Sequence, residues 1–271
     1  MALIRAVAEG EAAEAWARGL GEDWLARARA IKVEGDCGVW RARIAEREVV
    51  VKTWGLGGSG GRRRVQSALT LSPAWRHWRA ARKLAAQGFS TARPLVIATV
   101  GVDGALVEAL VLEALEGPTA LEALARPMEA RIEAAVARAV GAQVGRLARA
   151  GWYNRDHKPS NLIVTRADGD GGQVAMIDCV GFRRVEPGSD EFLARMLAKL
   201  LIEPLGCGLS PRRAMRWRVL REAAGDDRAR RLWREVERFV ADHGDPAPQV
   251  NPLRAPSASS GKEVVGPSKS Q

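Results

Sequence analysis

The stretch Tyr153-Asn-Arg-Asp156-His-Lys158-Pro-Ser-Asn161-Leu-Ile-Val164 puts a carboxylate, an ammonium and a carboxamide in one short polar loop. The loop lies between an Ala-rich helical run and a β-branched run. These three groups suit phosphoryl transfer to a hydroxyl. A carboxylate can take the proton of the attacking hydroxyl, an ammonium can neutralise charge growing on the phosphoryl group, and a carboxamide can turn back toward a divalent cation. A second carboxylate ends the apolar run Ala175-Met-Ile-Asp178, where a strand would deliver it to the same place. A third run, Val49-Val-Val-Lys52, ends in a cation. Taken alone, a lysine at a strand end is a solvated residue. Its place, after a glycine-containing turn and well ahead of the polar loop, gives it meaning.

Positioning these groups needs a particular order of elements. Residues 4–29 carry Ala, Leu and Trp at helical spacing and predict a helix. Runs at 31–33, 39–44 and 48–54, bounded by glycine, predict strands. Residues 73–87 predict a helix opened by Pro73 and closed by Gly88. A strand pair follows at 94–100 and 105–112, around Asp103-Gly104. A long helix is expected over 127–150. Strands at 162–164 and 174–177 flank an Asp-Gly-Asp-Gly-Gly turn, which suits a hairpin. Helices follow at 189–203, 211–223 and 227–242. The fold class read from this order is α+β in two lobes, strand-rich first and helical second. The divisions are 1–30, an N-terminal helical extension; 31–115, the first lobe; 116–243, the second lobe; and 244–271, a tail rich in Pro, Ser, Gly and Lys that is expected to be disordered.

Composition narrows the setting. The 271 residues carry a formal net charge of +10, mostly through Arg, which favours anionic partners or records a GC-rich genome. The three cysteines are far apart and form no CxxC pair, which argues against a disulfide framework or a zinc site. The first twenty residues contain three Glu and do not resemble a signal peptide. No apolar run reaches the length of a membrane span. A cytoplasmic protein is expected, peripheral to the inner membrane face through contact with an anionic surface. No motif or aromatic platform of a nucleic-acid binder accompanies the basic runs, so no specific nucleic-acid partner is expected.

The polar loop resembles the catalytic loop of the protein kinase-like superfamily, in which His-Arg-Asp is followed by Lys-Pro-x-Asn. Here Asn154 stands where that loop has His. The resemblance implies a fold of two kinase-like lobes, with ATP and Mg2+ as cofactors. It implies that Asp156 and Lys158 are catalytic, that Asn161 and Asp178 hold the metal, and that Lys52 grips the α and β phosphates. Asp178 resembles the Asp of the Asp-Phe-Gly metal site, although Cys179 and Val180 follow it. Glu34-Gly35-Asp-Cys-Gly38 resembles a shortened glycine-rich loop, whose Gly35 and Gly38 would let backbone N–H groups approach phosphate. Leu110-Val-Leu-Glu113-Ala-Leu115 resembles the hinge, with the backbone of Glu113 and Leu115 facing adenine. One element is missing: the superfamily pairs its lysine with a Glu on the next helix, and no Asp or Glu occurs from Thr53 to Gly101. His77 lies nearest the expected place.

The closer resemblance is to the lipopolysaccharide core kinases, the Kdo and heptose kinase group. It rests on Trp75-Arg-His-Trp-Arg-Ala-Ala-Arg-Lys-Leu, on Leu147-Ala-Arg-Ala-Gly-Trp-Tyr-Asn-Arg-Asp156, and on Phe192-Leu-Ala-Arg-Met-Leu-Ala-Lys-Leu with Leu209-Ser-Pro-Arg-Arg-Ala-Met-Arg-Trp. It implies a Mg-ATP-dependent phosphotransferase with a sugar or glycolipid hydroxyl as acceptor. The short stretch from Cys179 to Gly188 and the absence of Ala-Pro-Glu agree, because a peptide substrate needs a longer platform. Arg183 and Arg184 are then expected to meet anionic groups of the acceptor. The alternatives are a pseudokinase that binds nucleotide without turnover, and a protein Ser/Thr kinase-like enzyme.

Overall fold

The computed structural model describes residues 2–8, 15–16, 19–20, 24–56, 62–102, 105–168, 171–244 and Leu253. The first lobe is built on one antiparallel sheet. Its strands are β1 (Ala2–Ala8), β2 (Arg29–Glu34), β3 (Cys37–Ile44), β4 (Arg47–Gly55), β5 (Pro94–Val102) and β6 (Ala105–Glu113), in the order β1-β5-β6-β4-β3-β2. β6 is central, and five of its residues in succession, Glu108 to Leu112, are buried. Alternation along β6 separates two apolar faces. Ala109 and Val111 pack with Val49, Val51, Val96 and the tryptophans Trp16 and Trp24. Leu110 and Leu112 pack with Ala74 and Trp78 of the helix α2 (Pro73–Ala86), which follows the short helix α1 (Arg62–Ala68).

α2 forms where the sequence signals it. Ser72 accepts a hydrogen bond from the Trp75 N–H at 3.4 Å, Pro73 occupies the first turn, and Gly88 takes a positive φ of 76° just past the end. Its buried residues, Ala74, His77, Trp78, Ala81 and Leu84, recur at helical spacing; Ala74 and Trp78 lie against the sheet, while Ala81 and Leu84 join the core of the second lobe.

The helix expected over residues 4–29 is corrected at its start. Ala2–Ala8 is a strand, paired antiparallel to β5 from Ala2↔Gly101 to Ala8↔Val96. Over so few residues, helical and alternating patterns are hard to tell apart, and pairing with β5 decides the outcome. Residues 15–16 and 19–20 are helical, and Leu25–Arg27 is one 3-10 turn. The expected tail lies outside the described residues, except for Gly244 and Leu253. So do residues 57–61, 103–104 and 169–170.

The second lobe is helical around a small β layer. It comprises α3 (Ala120–Leu124), α4 (Ala130–Arg149), β7 (Trp152–Asn154), β8 (Leu162–Asp168), β9 (Gly171–Met176), β10 (Phe182–Arg184), α5 (Asp190–Gly206), α6 (Arg213–Ala224) and α7 (Asp226–His243). α4 runs through the core. A Cβ on Gly141 or Gly145 would fall 2.5 Å from the Val219 carbonyl or 2.4 Å from that of Ala223, so these glycines let α4 and α6 approach closely. β8 pairs with β9, and β10 pairs with β7, which places the chain after β9 beside the loop after β7.

Candidate active site

The polar loop leaves β7 at Asn154, which is buried. Its Oδ1 accepts the Asp156 N–H at 3.0 Å, so an amide replaces the family's imidazole as the support behind the aspartate. The Asp156 carbonyl accepts the Lys158 N–H at 3.0 Å and the Asn161 Nδ2 at 2.8 Å. The second bond fixes the Asn161 amide with its nitrogen spent on the loop, which leaves its oxygen for a ligand. The Ile177 N–H donates to the Asn161 carbonyl at 3.0 Å, so the end of β9 is tied to the same loop and Asp178 follows directly.

Gly181 closes this corner. A Cβ there would lie 2.8 Å from Asn154 Oδ1 and 2.9 Å from Asp156 Oδ2. The Gly181 carbonyl also accepts the Arg155 N–H at 3.2 Å. A glycine is needed for this close approach, and it stands three residues after Asp178. It stands one place later than the glycine of Asp-Phe-Gly.

Lys52 reaches the corner from the first lobe. It opposes Leu110 across the ladder, so its side chain shares the face covered by α2. Its Nζ donates to the Ile177 carbonyl at 2.9 Å and lies 3.5 Å from Asp178 Oδ1. Burial works to raise the pKa of Asp178. The Lys52 cation, His77 and the Val180 N–H, which donates to Oδ1 at 3.2 Å, outweigh burial and hold the carboxyl below its ordinary value. The Cys179 thiol beside it is pushed up to about 12 by burial and by the Asp178 charge, which makes it an inert packing residue.

His77 does occupy the α2 position facing this pair. Its Nδ1 is 3.6 Å from Asp178 Oδ1, and its ring is fully buried. Burial, helped by the neighbouring Lys52 charge, lowers its pKa to about 3, so the ring is neutral. A neutral ring cannot hold a lysine as a glutamate does. Lys52 is held by Asp178 and the Ile177 carbonyl.

Glu203, on α5, was not legible in the sequence. It accepts the Ser160 N–H at 2.8 Å and the Ser160 hydroxyl at 2.5 Å, and its Oε1 lies 3.9 Å from Lys158 Nζ. One partly buried carboxylate thus anchors the far half of the polar loop and draws Lys158 toward it. No local pattern marks Glu203, because its partners lie 43 residues away.

The glycine-rich turn departs from its expected use. Glu34↔Cys37 closes a two-residue turn in which Gly35 has a φ of 58° and open space around it. Gly38 lies within β3, and a Cβ there would fall 2.4 Å from the Trp40 indole nitrogen, which donates to Thr53 Oγ1 at 3.1 Å. Gly38 therefore makes room for Trp40, and only Gly35 presents open backbone. Arg63 of α1 pairs with Asp36 and ties the turn down. At the hinge, the Glu113 N–H already donates to the Arg93 carbonyl at 2.9 Å, which leaves its carbonyl as the group for a base. Leu115 follows in irregular chain, half-buried against the α2 side of the sheet.

Arg183 and Arg184 lie on β10 with aromatic rings beneath them. The Arg184 guanidinium lies 4.0 Å from the Trp152 ring centroid and donates to the Ala150 carbonyl at 2.7 Å. Arg183 stacks over Tyr153 and Phe192 at 5.1 and 5.2 Å. These contacts help to hold β10 on β7, and both arginines remain exposed.

Two lobes joined at a hinge, with a Lys–Asp pair across the cleft and an Asp–Asn loop below it, define a protein kinase-like phosphotransferase. Among solved structures the chain is similar to "WaaP in complex with acyl carrier protein", with a TM-score of 0.60 and 20% identity, covering 88% of this chain and 99% of that one. At that identity the likeness is one of fold. No curated protein matches the sequence. The lipopolysaccharide kinase (Kdo/WaaP) family matches over residues 42–187, more than half of the chain, and the protein belongs to that family. It is a kinase. Among the described residues, no helix is long and apolar enough to cross a membrane.

Proposed function

We propose that this kinase moves the γ-phosphoryl group of ATP to a hydroxyl of a sugar or glycolipid at the inner membrane face. The observation that carries this reading is the convergence of Lys52, Asp156, Asn161 and Asp178 from both lobes on one corner, through the bonds at Ile177 and Asn161. Asp156 orients the acceptor hydroxyl and takes its proton. Its carboxylate pairs with Arg155 at 3.2 Å and remains open to the cleft. Lys158 steadies the transferred group, and Lys52 holds the α and β phosphates. Asn161 and Asp178 supply hard oxygen donors, one amide and one carboxylate kept ionised, a set that fits Mg2+ together with nucleotide phosphates. The cation would neutralise phosphate charge during transfer. The Glu113 carbonyl and the Leu115 N–H face the adenine, and Gly35 offers open backbone at the phosphate end.

The acceptor follows from space. Between Asp178 and α5 the chain is short, and it is tied down by the β10–β7 pairing and by hydrogen bonds from the Val185 N–H to Gly151 and from the Gly188 N–H to Ala148, at 3.0 and 2.8 Å. A segment so anchored builds no peptide platform and leaves the side of the cleft beside Asp156 open to a sugar. A net charge of +10 suits work beside an anionic membrane.

One observation favours a second reading, nucleotide binding without turnover: α2 brings a neutral His77, and no carboxylate, to Lys52. Melting curves with ATP, with and without Mg2+, test the nucleotide half of the proposal. Binding to the native state raises the melting temperature. The shift is expected to grow with Mg2+, and that increment is expected to vanish in Asp178→Ala. An increment unchanged in Asp178→Ala would remove Asp178 from the metal site.

A further inference from the structure

We propose that His77 is a positioning residue for Asp178, whose carboxylate takes the Nδ1–H of the ring when nucleotide draws Lys52 away. This rests on the reading of Lys52 and Asp178 given above, and adds to it a residue outside the family's pattern.

The geometry sets the argument. His77 Nδ1 and Lys52 Nζ stand 3.6 and 3.5 Å from the same oxygen, Asp178 Oδ1. The ring is completely buried, yet among the described residues neither nitrogen has a hydrogen-bond partner. A buried N–H without an acceptor is costly, and such groups are rare unless a second state satisfies them. Only a small approach, about 0.6 Å, would bring Nδ1 within ordinary hydrogen-bond range of Oδ1. In the free protein that oxygen is served by the lysine cation. Once Lys52 turns to phosphate, Oδ1 keeps the Val180 N–H but loses its cation, and the His77 ring stands 3.6 Å away on the α2 side.

The exchange has a chemical logic. A glutamate at this place would hold the lysine and stand beside Asp178 as a second negative charge. An imidazole adds no second carboxylate there, leaves Lys52 to Asp178 and the Ile177 carbonyl, and places a ring nitrogen within reach of the aspartate. His77 is fixed for this by its helix: Ala74 and Trp78 beside it pack against the sheet and the ring is fully buried, so it cannot swing to solvent. In the ordinary arrangement the helix orients the lysine. Here it orients the metal-binding carboxylate.

Two measurements test this. Histidine-selective 15N NMR of the intact protein reads the tautomer, the His77 signal being identified by its loss in His77→Gln. The Nδ1–H tautomer is expected in the free protein, with the proton moving downfield when Mg2+ and adenylyl imidodiphosphate are added. An Nε2–H tautomer, or a proton that does not move while the nucleotide binds, would overturn the proposal. Melting shifts with the same probe give the second reading. His77→Phe keeps the ring and removes the donor, so the Mg2+-dependent increment should fall at least several-fold. His77→Gln, which can still donate, should keep most of it. A full increment in His77→Phe would overturn the proposal even if activity fell. A wild-type protein with no nucleotide shift at all would instead contradict the nucleotide reading and the release of Lys52 with it. In that case the tautomer in the free protein still decides whether Nδ1 faces Asp178.

Discussion

The Nζ of Lys52 lies 3.5 Å from Oδ1 of Asp178, joining a strand of the first lobe to the chain leaving β9 in the second. The lysine is mostly buried, while the aspartate side chain keeps 31% of its surface exposed. The pair closes the cleft through the two groups that a nucleotide and its cation would separate. Lys52→Met keeps the apolar stem and removes the charge. It is expected to lower kcat/KM by about 100-fold or more, as loss of a phosphate-holding donor does in preorganised sites. Stability should change little, because water still reaches Asp178. A titration of nucleotide against the variant checks this; affinity equal to wild type would contradict it.

Gly181 is the tightest contact at the corner, with Asn154 Oδ1 and Asp156 Oδ2 both within 3 Å of where a Cβ would stand. Gly181→Ala must displace the Asp156 carboxylate or the loop beneath it. A misplacement of about 1 Å costs on the order of 100-fold in rate. The expected outcome is a fall of that size in kcat with the nucleotide-induced melting shift retained, because the nucleotide side of the cleft is untouched. Steady-state kinetics on the variant decide it, and an unchanged kcat would show that Asp156 does not need its present position.

His157, behind Asp156, is fully buried with both ring nitrogens unpartnered, and burial lowers its pKa to about 4. The unfolded chain takes up a proton near pH 6.5, and the native chain resists it until about pH 4. Stability should therefore be full above about 6.5 and decline as pH falls toward 4, by up to about 1.4 kcal/mol per pH unit for this one group. His77 acts in the same direction down to about pH 3. Asp178, held below its ordinary value, contributes its stability in full above 3.8 and loses it only below that pH, outside this window. Urea unfolding between pH 7 and 4.5 should show a shallower decline in His157→Phe than in wild type. Equal slopes would mean that this ring is solvated or partnered in solution.

Much of this site is legible in sequence because its key groups sit in local patterns. Asp156, Lys158 and Asn161 share one loop, and Asp178 and Lys52 end β-branched runs whose strands form as expected. What was hidden depends on contacts between distant segments. Glu203 meets Ser160 only when α5 folds back over the loop. The need for glycine at 181 arises from two side chains of another strand's exit. Gly38 was read as a phosphate-facing glycine, whereas the Trp40 ring occupies the space beside it. The stacking of Arg183 on Tyr153 and Phe192, and of Arg184 on Trp152, was likewise not visible in the sequence. The first strand was read as helix because its pairing partner, β5, lies far along the chain. His77 was visible only as a gap where Glu was expected; its burial and its distance from Asp178 needed the fold.

The central claim is phosphoryl transfer from ATP to a glycan hydroxyl oriented by Asp156. The most direct measurement is transfer of labelled γ-phosphate to a lipopolysaccharide core acceptor and to generic protein substrates, side by side, with wild type and Asp156→Asn. The account predicts labelled glycan and unlabelled protein with wild type. With Asp156→Asn it predicts a rate lower by about 100- to 10,000-fold, the range for loss of a general base, and an unchanged nucleotide melting shift. Labelled protein Ser or Thr with no labelled glycan, or full activity in Asp156→Asn, would contradict it.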